Sequence, residues 1–84
     1  MRAIWHALLM PANHPERQQV AERIQAAMTA KDLSIREMQD LTGIPASSLS
    51  RYLRAVTSPT LDHLAAIAAT VGVSLADLMP ERVA

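Results

Sequence analysis

Thr42-Gly43-Ile44 constrains this chain more than any other stretch, because helical signals stand on both sides of it. Ser34-Ile35-Arg36-Glu37 is a capping box, S-x-x-E. The Ser hydroxyl accepts from the third helical N–H, and the Glu carboxylate reaches back to the Ser N–H. The helix it opens is predicted over about residues 35–42. Gly43 stops it, since glycine takes the left-handed conformation beyond a helix end at little cost. A second helix opens at Pro45, one residue after the turn, and is predicted over about residues 45–54. So short a connection prevents two helices from lying side by side. It suits two helices that meet steeply, the second presenting one face outward.

The flanking residues also read as helices. Asn13-His14-Pro15-Glu16 is a helix start, with proline in the first turn and an acid beside it. Val20, Ile24, Ala27 and Met28 follow at helical spacing, giving a helix over about residues 15–30. Thr60 is a predicted N-cap with Asp62 in the first turn of a helix over residues 61–71, which Gly72 ends. Ser74-Leu75-Ala76-Asp77 is a second capping motif, opening a short helix that finishes near Pro80. The expectation is an all-α domain of four to five helices over residues 15–80. An apolar extension, residues 1–14, precedes it and a tail, residues 81–84, follows.

Composition narrows the function. Eighty-four residues make at most one domain. A chain this short buries only about 60% of its unfolded surface, so its core is marginal. There is no cysteine, which excludes disulfides, zinc–cysteine sites and thiol nucleophiles. His6, His14 and His63 have no metal-ligand spacing. No carboxylate pairs with a nucleophile and no glycine-rich phosphate loop is present. We therefore expect no enzyme, no metal, no cofactor and no small-molecule ligand. No run approaches the roughly 18 apolar residues that cross a membrane. The patch over residues 4–10 is short and interrupted by His6, so it is not read as a signal peptide, and a cytoplasmic protein is expected. Ile4, Trp5, Leu8 and Leu9 would share one helical face. They either cover the domain's own core or form a dimer or partner contact.

The helix after the turn carries the chemistry. On a wheel at about 100° per residue, Ser47, Ser50, Arg51 and Arg54 share one outward wedge. Leu49, Tyr52 and Leu53 fall opposite and are expected to pack on the second and fourth helices. Small hydroxyl residues let a helix sink into the major groove. Arginine reads guanine O6 and N7 with a bidentate fork, or holds phosphate. Pro45 offers no side-chain cap, so the N–H groups of Ala46, Ser47 and Ser48 are expected to be unpaired. With the helix dipole they favour a phosphate or a base acceptor. Ala46 can also touch a thymine methyl. Charge argues the other way, because the net charge is zero and nucleic-acid domains are usually basic. Three arginines, Arg36, Arg51 and Arg54, against Glu37 and Asp40 leave residues 36–54 slightly basic, while the acid gathers nearer the C-terminus.

In this order the motifs resemble the lambda-repressor/Cro-like, or XRE-type, helix-turn-helix family. Residues 34–43 resemble its second helix and residues 44–52 its recognition helix. Pro59-Thr60-Leu61-Asp62-His63-Leu64 and Val71-Gly72-Val73-Ser74-Leu75-Ala76-Asp77-Leu78 resemble its close. The resemblance implies a lambda-repressor-like domain with its helix-turn-helix at about 35–54. It implies a sequence-specific double-stranded-DNA-binding regulator, a repressor, reading the major groove with its third helix. Base contacts carry over to Ala46, Ser47, Ser50 and Arg51. Phosphate contacts fall to Ser34, Arg36, Ser48, Arg54, Thr57 and Ser58. Such domains act as homodimers on half-sites about 34 Å apart. There are departures from the pattern: Ile35 replaces a glutamine, Gln39 an alanine, Leu53 a glutamate and Ala55 a glycine. The alternative is a protein-interaction module on the same scaffold, such as an antitoxin bound to a toxin. Single-stranded nucleic acid fits less well, because Trp5 and Tyr52 are the only aromatic rings beside the histidines.

Overall fold

The structure is a computed structural model and describes residues 15–80. Ile4, Trp5, Leu8 and Leu9, with the rest of the extension and the tail, lie outside the described residues. Five helices follow one another: α1 Pro15–Ala30, α2 Ile35–Thr42, α3 Ala46–Leu53, α4 Leu61–Val71 and α5 Leu75–Leu78. No strand occurs among the described residues, and no helix there is long and apolar enough to cross a membrane.

Local chemistry sets the starts. Ser34 Oγ accepts from the Glu37 N–H at 3.1 Å, and Glu37 Oε1 accepts from the Ser34 N–H at 2.8 Å, so the predicted capping box closes both ways. Thr60 Oγ1 accepts from the His63 N–H at the start of α4. Ser74 and Asp77 make the second reciprocal box, which opens α5. α3 is shorter than predicted by one residue at each end. Pro45, at φ −58° and ψ 143°, has extended backbone and stands at the cap, and Arg54 closes the other end.

The core draws on every helix: Ile24 from α1, Met38 from α2, Leu49 from α3, Ile67 and Val71 from α4, and Leu78 from α5. Ile44, in the turn, is buried with them and ties the connection to the core. No polar or charged residue is buried among the described residues. The backbone of α3 packs against α1 and α2; of its two expected neighbours, α2 lies against it and α4 meets it through the side chains of Tyr52 and His63. After the short turn α3 comes to lie against α1, which was not among its expected neighbours. The 54–60 loop then brings the chain back before α4 begins.

Candidate nucleic-acid interface

The turn is held by four hydrogen bonds. Gly43 has φ +79°, which side-chain-bearing residues adopt only with strain, and its N–H donates to the Gln39 carbonyl at 2.9 Å. Thr42 Oγ1 donates to the Met38 carbonyl at 2.6 Å and accepts from the Ile44 N–H at 3.1 Å. The Ala46 N–H donates to Gln39 Oε1 at 2.7 Å. The last bond corrects the expectation that all the first N–H groups of this helix are open. Glutamine from α2 takes the first of them.

α3 then offers one face to solvent. Ser47, Arg51 and Arg54 are exposed, and Ala46, Ser48 and Ser50 are half-buried. Leu49 and Tyr52 are buried and Leu53 is half-buried, as the helical wheel requires. The side chains of Ser47, Ser48, Ser50, Arg51 and Arg54 make no hydrogen bond or ion pair with described residues. Among the described residues, the guanidinium groups of Arg51 and the C-cap Arg54 and the three hydroxyls of α3 thus have no partner. The short side chains of Ser48 and Ser50 are partly covered, and that of Ser47 is open.

The far end of α3 is locked too. The Ala55 N–H donates to the Tyr52 carbonyl at 3.1 Å and the Val56 N–H to the Arg51 carbonyl at 2.9 Å. That pair of bonds is a Schellman closure, and it needs a left-handed residue between. Ala55 fills the position at φ +60° although it carries a Cβ. Beyond it Thr57 and Ser58 are exposed on the loop. Arg17 of α1 reaches this loop, donating from Nη1 to the Val56 carbonyl at 2.9 Å.

The remaining residues assigned to phosphate lie on α2. Arg36 is exposed in its first turn. Ser34 is exposed as well, with its oxygen already accepting the cap bond and its hydroxyl hydrogen left to donate. Three residues escaped the sequence reading as parts of the site. Gln39 showed only as a departure from a pattern. Arg17 lies 39 positions from its partner, and no local motif marks it. His63 shares a hydrogen bond with Tyr52, and neither residue signals the other in sequence.

Residues 24–78 match the model of HTH_3, a helix-turn-helix family. No curated protein matches the chain. Among solved structures, it is similar to the clp gene regulator ClgR from Corynebacterium glutamicum, with a TM-score of 0.70 and 21% identity over 74% of this chain and 66% of that one. It is also similar to an HTH_3 family transcriptional regulator from Vibrio cholerae, with a TM-score of 0.69 and 26% identity over 74% of this chain and 35% of that one. The chain therefore spans only part of the length of either protein. The family match begins in α1 and ends with α5, taking in both helices of the turn and all three side-chain caps, and the chain belongs to the HTH_3 family of lambda-repressor-like, DNA-binding helix-turn-helix domains.

Proposed function

We propose that this chain is a cytoplasmic, sequence-specific transcriptional repressor that reads duplex DNA by seating α3 in the major groove. The observation that carries the reading is the outer face of α3, which has no partner among the described residues, with Arg51 on the helix and Arg54 at its C-cap both exposed and the two helix ends both fixed. Arg51 reads guanine with its fork, while Ala46 and Ser47 meet bases from the first turn, where recognition helices commonly do so. Ser50 adds a short-range contact. Ser34, Arg36, Ser48, Arg54, Thr57 and Ser58 set the domain on the phosphates, which fix register without reading sequence.

The energetics favour two copies. Each good bidentate pair contributes about 1–3 kcal/mol of discrimination. A domain of zero net charge gains little from general attraction to phosphate. A homodimer on paired half-sites raises affinity through effective concentration. Repression then follows from occupying a promoter. The two similar structures are of proteins named as regulators, which supports a regulatory role.

A second reading has its own observation. Leu61 and Met79 are exposed beside Val20 and Leu64, leaving an apolar groove of about 290 Å³ that a protein partner such as a toxin could fill. Selection from a random duplex pool decides between them, followed by anisotropy at two salt concentrations with Arg51→Ala alongside. A recovered palindrome, with affinity falling on added salt and in the variant, supports the repressor. No enrichment by a folded chain transfers the case to the protein-partner reading.

A further inference from the structure

Gln39 accepts both ends of the turn. Its backbone carbonyl takes the Gly43 N–H at 2.9 Å, and its side-chain Oε1 takes the Ala46 N–H at 2.7 Å. The second bond supplies what α3 lacks locally, because Pro45 stands at the cap and makes no side-chain hydrogen bond. Serine, threonine, aspartate and asparagine are the usual caps, and they act on their own helix. Here the cap comes from the neighbouring helix, seven residues back. The amide orientation is settled by chemistry, since a backbone N–H can only donate and the oxygen must face it.

A cap drawn from α2 does two things at once. It satisfies the first donor of α3, and it ties the start of that helix to the body of α2. Gln39 is exposed, so burial does not account for its placement. We propose that Gln39 is a positioning residue for DNA recognition, holding Ala46 and Ser47 in the geometry that reads bases without itself touching a base. The proposal rests on the reading of α3 as the recognition helix. Its physical basis is preorganisation. An ordered first turn enters the groove without losing freedom on binding, whereas a frayed one must be ordered by the DNA.

The test is a double-mutant cycle on the operator recovered by selection. Gln39→Ala removes the remote cap, and Pro45→Ser gives α3 a cap of its own. Operator affinity is measured well below the melting temperature, beside thermal melts and amide exchange at Ala46. Gln39→Ala is expected to weaken binding about tenfold, within the range of measured cap losses, and to relax preference at the bases nearest Ala46. The double variant is expected to return to within about twofold of the parent, with Pro45→Ser alone changing little; that non-additivity marks coupled sites. Equal affinity in Gln39→Ala overturns the proposal. So does a loss that Pro45→Ser does not repair, since ordering of the first turn of α3 would then not be what Gln39 supplies to binding. An equal gain from Pro45→Ser in both backgrounds also overturns it, as a new contact rather than a rescue. If the parent selects no duplex, the recognition reading fails and the proposal with it. Exchange at Ala46, fast in Gln39→Ala and slow in the parent, then still establishes the cap.

Discussion

Tyr52 Oη lies 2.7 Å from His63 Nδ1, joining α3 to α4 although the backbones of the two helices do not pack on each other. The rings are 5.9 Å apart at 59°, a tilted contact. Tyr52 is 8% exposed, so its hydroxyl has little water to turn to. The bond anchors the last turn of α3 to α4.

Tyr52→Phe keeps the ring in the core and leaves His63 Nδ1 without its partner. The expected loss of stability is about 0.5–1.5 kcal/mol, the net worth of one hydrogen bond. Urea unfolding measures it, with an unchanged slope. Leu49→Ala, which opens a cavity in the centre of the core, is expected to cost about 2–5 kcal/mol and sets the scale. A Tyr52→Phe variant as stable as the parent would show that the bond contributes nothing to the fold.

Ala55→Gly is expected to stabilise. An L-residue in the left-handed region costs roughly 1–2 kcal/mol. Glycine escapes that cost but loses about 0.5–1 kcal/mol more in chain entropy on folding. The balance favours glycine by up to about 1.5 kcal/mol. Asp32 is left-handed as well, at φ +55°, closing α1 in the same manner. Aspartate tolerates that region better than alanine, so Asp32→Gly is expected to gain less. Denaturant midpoints for the two variants give the comparison, and the reverse order would sink the argument.

Arg51 of α3 and Arg54 at its C-cap are expected to fail differently. Arg51→Ala should cost about 1–3 kcal/mol and relax preference at one base position. Arg54→Ala, beside the loop that carries Thr57 and Ser58, should weaken binding evenly across sequences and lower the salt slope by about 1. Selection profiles and salt titrations separate the outcomes. An exchange of the two phenotypes would reverse the assigned roles.

What the sequence made legible is what acts over short distances. Ser34 with Glu37, and Ser74 with Asp77, are three residues apart, so their boxes could be read directly. Gly43 and Gly72 mark helix ends for the same reason, each at a positive φ that its own residue type permits. The wheel placed Leu49 and Tyr52 inward and Ser47 and Arg51 outward, because the helical period alone decides that. What stayed hidden depends on how helices come to lie. The placement of α3 on α1, the reach of Gln39 to Ala46 and the meeting of Tyr52 with His63 all follow from the turn's three-dimensional angle. No spacing encodes that angle. Proline at 45 was legible as a helix start without a side-chain cap, but Gln39 as the acceptor for the Ala46 N–H was not.

Arg17 sets up the last prediction. Its guanidinium donates to the Val56 carbonyl at 2.9 Å and so ties α1 to the loop that carries Thr57 and Ser58. Arg17→Met removes both charge and bond, whereas Arg17→Lys keeps the charge but not the reach and fork of the guanidinium. The bond is partly solvated, so stability should fall by only about 0.5–1 kcal/mol in Arg17→Met. Operator affinity is expected to fall in both variants by about three- to tenfold, a shift of roughly 0.7–1.4 kcal/mol, with base preference unchanged. That pattern follows if the loop holds phosphate and Arg17 holds the loop. Normal affinity in Arg17→Lys with loss in Arg17→Met would assign the effect to charge. Normal affinity in both would remove Thr57 and Ser58 from the DNA-contacting set.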